Sequence, residues 1–191
     1  MAQSETVERI LDAAEQLFAE KGFAAASMDE LTASVGLTRG ALYPNFGDKR
    51  GLLAAVVAQV DEEIAQRARR RANQEKDDWS KLLAEGVAYI EMALEPEVQR
   101  IVLLDGPAFL GDPSRWPSQN ACLEATRQAV TALIARGIVK PVDVEAAARL
   151  LNGAAFNAAL WVAASETPQA TLAKATEAFQ HLASGLLVNP R

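Results

Sequence analysis

The sequence of 191 residues contains a single cysteine, Cys122, and a single histidine, His181. One cysteine cannot form an internal disulfide, so the composition does not fit a disulfide-stabilised secreted domain. A structural zinc site of the usual Cys/His type needs more of these ligands than one chain supplies. No catalytic motif surrounds either residue. We therefore expect no metal and no cofactor.

Long hydrophobic runs and a signal sequence are also missing. No apolar stretch approaches the roughly 18–20 residues that are needed to cross a bilayer. Residues 1–9 carry no basic segment followed by an apolar one, which a secretory signal would require. These absences predict a cytoplasmic protein without a membrane partner.

Aromatic residues are scarce, at 6% of the chain, whereas hydrophobic residues in total reach 50% and alanine dominates them. Alanine is the strongest helix former and a poor strand former. Apolar spacing, capping residues and helix breakers together predict an all-α fold of about nine helices. The predicted helices span residues 5–21, 28–35, 39–43, 49–71, 79–93, 96–104, 118–137, 143–166 and 168–187. Three prolines and two glycines in the segment 105–117 exclude a regular helix through it and predict a structured loop or a set of short turns.

A positive net charge is missing as well, because the chain carries −6 at neutral pH. Residues 1–55 hold five basic and eight acidic residues, a net charge of −3. This balance argues against a non-specific nucleic-acid coat protein, which would be basic. It still allows a sequence-specific reader with a small contact surface, with weak non-specific binding and a shallow salt dependence.

The most informative segment is 27–49, where two short predicted helices are joined by a tight turn at Gly36. Ser27 begins a capping box, in which its hydroxyl would accept from the amide three residues on and Glu30 would reach back. A short amphipathic helix, a turn and a second short helix are the parts of a helix-turn-helix. Thr38 and Arg39 occupy the start of the second helix, the end that enters a major groove roughly 12 Å wide.

Three further residues extend this interpretation. Gly40 lacks a side chain, so the backbone there would approach DNA closely. Tyr43 follows Arg39 by one helical turn and carries a hydroxyl that reaches phosphate. Lys49 begins the long fourth helix, where its charge and the free amides both favour an anion.

Three stretches of this region resemble the tetracycline-repressor (TetR) family of bacterial regulators. They are FAEKGF at 18–23, SMDEL at 27–31 and VGLTRGALYPNFGDK at 35–49. The resemblance covers about the first quarter of the chain. It implies a homodimer that binds a palindromic double-stranded DNA operator. It also implies that the protein is a repressor, released by a small-molecule effector in the C-terminal domain.

The family's DNA contacts carry over to specific positions. Those at phosphate are implied for Ser27, Met28, Tyr43 and Lys49, and those at base edges for Thr38, Arg39, Gly40 and Asn45. The sequence departs from the family at Pro44, where relatives often have an aromatic residue or histidine. A proline late in a short helix loses a backbone hydrogen bond, so we expect it to shorten or distort this helix.

The last two long helices are apolar on more than one side, which indicates a second surface to bury. The resemblance implies that they pair across a two-fold axis to form the homodimer. Large side chains elsewhere suggest a largely apolar effector pocket with a few polar groups. The pocket candidates are Tyr89, Met92, Phe109, Trp116, Asn152, Phe156 and Trp161. The loop 105–117 would form its mouth.

These observations divide the chain into a DNA-binding domain, 1–50, and an effector-binding and dimerisation domain, 51–191. Two alternatives remain open. One is a small-molecule-binding or protein-interaction module of the same fold with weak or lost DNA binding, which Pro44 and the acidic N-terminal region favour. The other is an all-helical enzyme using one buried carboxylate among Glu85, Glu91, Glu95 and Asp105. No nucleophile, base or metal constellation supports it, so we do not expect an enzyme.

Overall fold

The structure is a computed structural model that describes residues 2–189, apart from the side chains of residues 2–4, 39, 41 and 43. Within these residues nine α-helices follow one another. They are α1 (Ala2–Ala25), α2 (Met28–Val35), α3 (Arg39–Phe46), α4 (Lys49–Ala72), α5 (Asp78–Glu91), α6 (Gly106–Leu110), α7 (Pro117–Ala135), α8 (Val144–Ala163) and α9 (Pro168–Ser184). A π-helix, Val98–Asp105, precedes α6, and short 3-10 turns lie at Met92–Leu94 and Pro113–Arg115.

The prediction of an all-α fold with about nine helices is confirmed. In the described part of the chain, the one β-type pairing is an isolated antiparallel bridge between Val139 and Leu187. No helix among the described residues is long and apolar enough to span a membrane.

The first helix is longer than predicted but contains a break where its end was expected. Gly22 has φ 74° and ψ 158°, which is outside the helical region, and α1 resumes after it as far as Ala25. Only glycine adopts a positive φ of this kind without strain. The sequence signal at Gly22 therefore marked a real interruption, although a further turn of helix follows it.

Two predictions about α2 and α3 are corrected. The Ser27 hydroxyl accepts from the Asp29 amide, two residues on, and the Glu30 carboxylate pairs with Lys21. Pro44 does not shorten α3, which continues through it to Phe46. A proline at the sixth position of this eight-residue helix removes the hydrogen bond to the carbonyl of Gly40, and its ring crowds that carbonyl, but neither effect ends the helix. The remaining backbone hydrogen bonds are sufficient for the helix to continue to Phe46.

The segment 105–117 contains no single regular helix, as predicted, but is made of short helical pieces rather than a loop. The π-helix Val98–Asp105 leads directly into α6, and only residues 111 and 112 separate α6 from the 3-10 turn. Pro107 lies in the first turn of α6, where its missing N–H would have no helical partner. The glycine and proline residues in this segment therefore mark helix boundaries: α6 ends just before Gly111, and α7 begins at Pro117.

The chain forms two compact units. The first unit consists of Met1–Asp61 and Glu95–Pro113, so it includes the π-helix and α6 together with α1 to α3 and the first half of α4. In this unit α1 contacts α2 and the π-helix, and α2 contacts α3. Its largest fully buried side chains are Ile10, Phe18, Leu31, Leu52, Leu53, Val56, Ile101, Val102 and Leu103.

The second unit consists of Glu62–Leu94 and Ser114–Arg191. Here α8 contacts α5, α7 and α9, and α5 also contacts α9. One buried cluster holds these helices together, and its members are Trp79, Leu133, Val139, Ala183 and Leu187. Gly86 of α5 allows a close approach, because a Cβ there would lie 2.5 Å from Cζ of Phe179 on α9.

The compact units do not coincide with the predicted domains 1–50 and 51–191. The predicted boundary falls in the first turn of α4, and residues 95–113 pack with the N-terminal helices. The predicted domains describe DNA binding and effector binding, and that division of roles stays a prediction.

Candidate functional site

The start of α3 is exposed, as a reading helix requires. Thr38 and Gly40 are both exposed, and among the described side chains a Cβ built on Gly40 would meet only the Thr38 hydroxyl, at 3.8 Å. The turn before α3 is formed by Gly36, which has a left-handed φ of 68° and caps the end of α2. This open end allows another molecule to approach the backbone of residues 38–40.

Three other residues predicted to contact DNA lie on or beside α2 and α3. Ser27 is exposed at the start of α2, Met28 is half-buried and Asn45 is exposed near the end of α3. The contacts predicted for Arg39 and Tyr43 fall on side chains outside the described part of the structure. Arg50, which was not among the predicted contacts, is exposed in the first turn of α4. Its position beside Lys49 at a helix N-terminus makes it a further candidate for an anion contact.

Lys49 is held more firmly than a surface lysine. Its Nζ lies 3.4 Å from the carbonyl oxygen of Ala24 and 4.6 Å from the centre of the Phe23 ring. Burial lowers the pKa of Lys49, and the negative charge of Asp105 acts in the opposite direction. The Asp48 carboxylate caps α4 by accepting from the Gly51 amide at 2.7 Å.

Some of the basic side chains of this region make contacts within the protein. Lys21 pairs with Glu30, and Arg9 donates to the carbonyl oxygen of Val35 at 3.2 Å. These cations stabilise the ends of α1 and α2, so they are less available to phosphate. The arrangement is consistent with a small binding surface in an acidic unit.

The second unit brings some of the predicted pocket residues together. The rings of Tyr89 on α5 and Phe156 on α8 are half-buried, and their centroids are 6.4 Å apart. Asn152, one turn before Phe156, accepts from the Thr126 hydroxyl of α7 at 2.9 Å. Met92 is buried, and so is Trp116, whose Nε1 has no hydrogen-bond partner among the described atoms.

The two other predicted pocket residues have different surroundings. Phe109 belongs to the first unit, where its ring centroid lies 4.5 Å from that of Phe23. Trp161 is 51% exposed on α8. Their roles in a pocket stay a prediction.

Glu85 is the carboxylate whose environment is most unusual among the four considered for acid–base chemistry. It is half-buried on α5, one turn before Tyr89. Burial raises the pKa of Glu85 above its usual value, and the nearby Arg69 partly opposes this effect. No group of three His, Cys, Asp or Glu side chains in the described part of the chain is placed to hold a metal ion.

Models of known protein families match segments of both compact units. Residues 10–56 match the model described as bacterial regulatory proteins, tetR family. Residues 79–186, more than half of the chain, match the model described as the tetracyclin repressor-like C-terminal domain. The chain belongs to the TetR family. The resemblance at residues 18–49 is thereby confirmed, and the family consists of transcriptional regulators, so the prediction that the chain is not an enzyme is also confirmed.

Individual TetR-family relatives extend the comparison. A TetR-family transcriptional regulator from Pectobacterium atrosepticum has 46% sequence identity and a TM-score of 0.90, over 100% of this chain and 98% of that one. The regulator UidR of Escherichia coli K12 is 26% identical over 136 residues, which are 67% of this chain and 62% of UidR. The repressor BepR of Brucella suis is 39% identical over 70 residues, 35% of this chain and 34% of BepR. TetR-family regulators bind DNA and small molecules and are typically dimeric.

The Glu85 site makes a testable prediction about stability. The folded state favours neutral Glu85, so its ionisation above the unfolded pKa destabilises the fold, and this penalty disappears as the pH falls through the raised folded pKa. We expect Glu85→Gln to raise the urea midpoint at about pH 7.5, and to lose this advantage near pH 4, below the ordinary glutamate pKa of about 4.3. An equal difference at both pH values, or a less stable variant at the higher pH, would contradict the assignment.

Proposed function

We propose that this TetR-family chain is a sequence-specific DNA-binding repressor that acts in the cytoplasm. The observation that carries the proposal is the exposed start of α3, where Thr38 and Gly40 are accessible to solvent just after the turn at Gly36. In this proposal Thr38, Arg39, Gly40 and Asn45 read base edges. Ser27, Met28, Tyr43 and Lys49 hold the phosphate backbone, and Arg50 adds a further phosphate contact.

A homodimer would place two such helices on a palindromic operator, one helical turn of DNA apart or a multiple of that distance. Support comes from an exposed stripe on α8, whose members recur every three or four residues: Ala146, Leu150, Gly153, Asn157 and Trp161. Leu150 is 74% exposed, and Leu182 on α9 is 72% exposed. Large apolar side chains are costly to leave in water, so a second copy of this surface is the partner we propose.

The effector in this proposal is a small, largely apolar molecule bound in the second unit. The half-buried rings of Tyr89 and Phe156 supply apolar walls, and the Asn152 side chain supplies a polar group beside them. Met92 and Trp116 are proposed as further wall residues. Phe109 and Trp161 contribute less to this proposal, because one packs on Phe23 and the other is exposed on α8.

Helix α4 supplies the connection between the two activities. It is continuous from Lys49 to Ala72, so its first half belongs to the DNA-reading unit and its second half to the effector-binding unit. An effector would release DNA to the extent that it binds one arrangement of the protein more tightly than the other.

The first test is selection of DNA by the wild-type protein from a randomised duplex library. We expect enrichment of a palindrome, and we expect Arg39→Ala to lose about 1–3 kcal/mol of preference for that duplex over a scrambled one. Arg70→Ala is the matched control, because Arg70 lies about 31 Å from Lys49 along α4 at about 1.5 Å per residue. Binding is measured by fluorescence anisotropy at several salt concentrations.

Failure of the wild-type protein to enrich any sequence would contradict the repressor proposal. It would favour the alternative of a binding module with lost DNA recognition. Equal losses in Arg39→Ala and Arg70→Ala would show a general charge effect and would remove Arg39 from the proposed reading surface.

The dimer proposal predicts that Leu150→Asp and Leu182→Asp each shift the protein toward monomer, because each substitution would bury an unpaired carboxylate in an apolar interface. Light scattering over a range of protein concentrations measures the shift. The matched control is Leu104→Asp, since Leu104 is 42% exposed in the π-helix of the first unit. A wild-type protein that is monomeric at every concentration contradicts the proposal.

The effector proposal predicts that some uncharged amphiphiles with one hydrogen-bonding group raise the unfolding temperature and release the selected duplex. Ligands of this type stabilise the folded state by mass action. We expect Phe156→Ala to weaken binding of such a compound by about tenfold or more, and Phe156→Leu to weaken it less, because leucine restores much of the lost apolar surface. Compounds that stabilise the protein but never change DNA binding would contradict the regulatory role.

A further inference from the structure

Asp105 has an unusual position in the first unit. It is the last residue of the π-helix, in the segment 95–113 that sequence analysis placed in the effector-binding domain. Its side chain is only 13% exposed, and it lies against the end of α1. π-helical segments are rare, and they frequently occur at functional sites.

The Asp105 carboxylate accepts a hydrogen bond from a backbone amide that the break at Gly22 leaves without a helical acceptor. The non-helical conformation of Gly22 interrupts the hydrogen bonding of α1, and the next amide, that of Phe23, donates to Oδ2 of Asp105 at 2.7 Å. An amide of this kind needs an acceptor when it is removed from water. A charged acceptor forms a stronger bond than a neutral one.

Arg100 holds the carboxylate in place. Its Nε lies 3.4 Å from the same oxygen of Asp105. Its guanidinium group covers Gly22 so closely that a Cβ there would lie 1.9 Å from Nη2 of Arg100. Gly22 is therefore required for its backbone conformation, whereas the flexible end of the Arg100 side chain, which is 46% exposed, has room to move away from a Cβ.

The residues fixed in this way determine where the Lys49 ammonium group lies. Phe23 presents its ring to Lys49 Nζ at 4.6 Å, and Ala24 presents its carbonyl oxygen at 3.4 Å. Phe23 itself packs between Phe18 and Phe109, with ring centroids 5.6 and 4.5 Å away. The charge of Asp105 also acts directly on Lys49 and counteracts the effect of burial on its pKa.

We propose that Asp105 is a positioning residue for DNA binding, which holds the Phe23 amide and thereby fixes Lys49 at the start of α4 for a phosphate contact. The inference rests on the proposed function, because it assumes that Lys49 binds the DNA backbone. Asp105 itself touches no DNA in this account. Its effect passes through Phe23, Ala24 and Lys49.

The experiment is a double-mutant cycle on the duplex that the wild-type protein selects from the randomised library. We expect Asp105→Ala to weaken binding by about tenfold, the effect of losing about 1.4 kcal/mol. In a Lys49→Ala background the same substitution should weaken binding by less than about twofold, because the contact that it positions is already gone. Each Ala variant, and the double variant, should reduce the salt slope by about one.

Two further variants separate positioning from general damage. Asp105→Asn keeps an oxygen that accepts from the Phe23 amide, so it should recover most of the affinity that Asp105→Ala loses. Asp112→Ala removes an exposed carboxylate from the same segment, and its affinity should stay within about twofold of wild type. Unfolding midpoints of all variants show that the proteins are folded at the assay temperature.

Several outcomes would overturn the inference. They are unchanged or tighter binding by Asp105→Ala, an undiminished loss in the Lys49→Ala background, and an Asn variant that is no better than the Ala variant. A wild-type protein that selects no duplex would refute the proposed function and this inference together. If the wild type binds and Asp105→Ala has no effect, only the inference fails.

Discussion

The arrangement of the first unit depends on one constraint, the left-handed backbone of Gly22. This residue ends the regular part of α1 and turns the following residues so that the Phe23 ring packs between Phe18 and Phe109. The same turn exposes the Phe23 amide to Asp105 and the Ala24 carbonyl to Lys49. Helices α2 and α3 follow directly, so the position of the proposed DNA-reading surface is linked to this turn.

Much of the fold could be predicted because the relevant signals are local. The caps at Ser27 and Asp48, the left-handed residue Gly36 and the apolar stripe of α1 each act within a few residues, and the structure contains helices where they indicate them. The exposed Thr38 and Gly40 were identified for the same reason. The length of α3 beyond Pro44 was not predicted, because whether a short helix continues after losing one hydrogen bond depends on the neighbouring turns.

The features that were not predicted depend on contacts between distant parts of the chain. Asp105 was considered as a lone carboxylate in a loop, and nothing near it in sequence indicated that it accepts from Phe23, 82 residues earlier. Phe109 and Trp161 were grouped with the pocket by residue type alone. Their environments are set by the π-helix and by the outer face of α8, which apolar spacing does not distinguish from an inner face.

The division of the chain into Met1–Asp61 with Glu95–Pro113, and Glu62–Leu94 with Ser114–Arg191, affects how the protein can be dissected. The polypeptide passes from one unit to the other three times, so no single cut separates them. A fragment ending near residue 61 would lose Ile101, Val102 and Leu103, which are buried in the same unit as α1. Chimaeras that join this helix-turn-helix to a foreign sensor therefore need to retain residues 95–113 as a second, non-contiguous piece of the first unit.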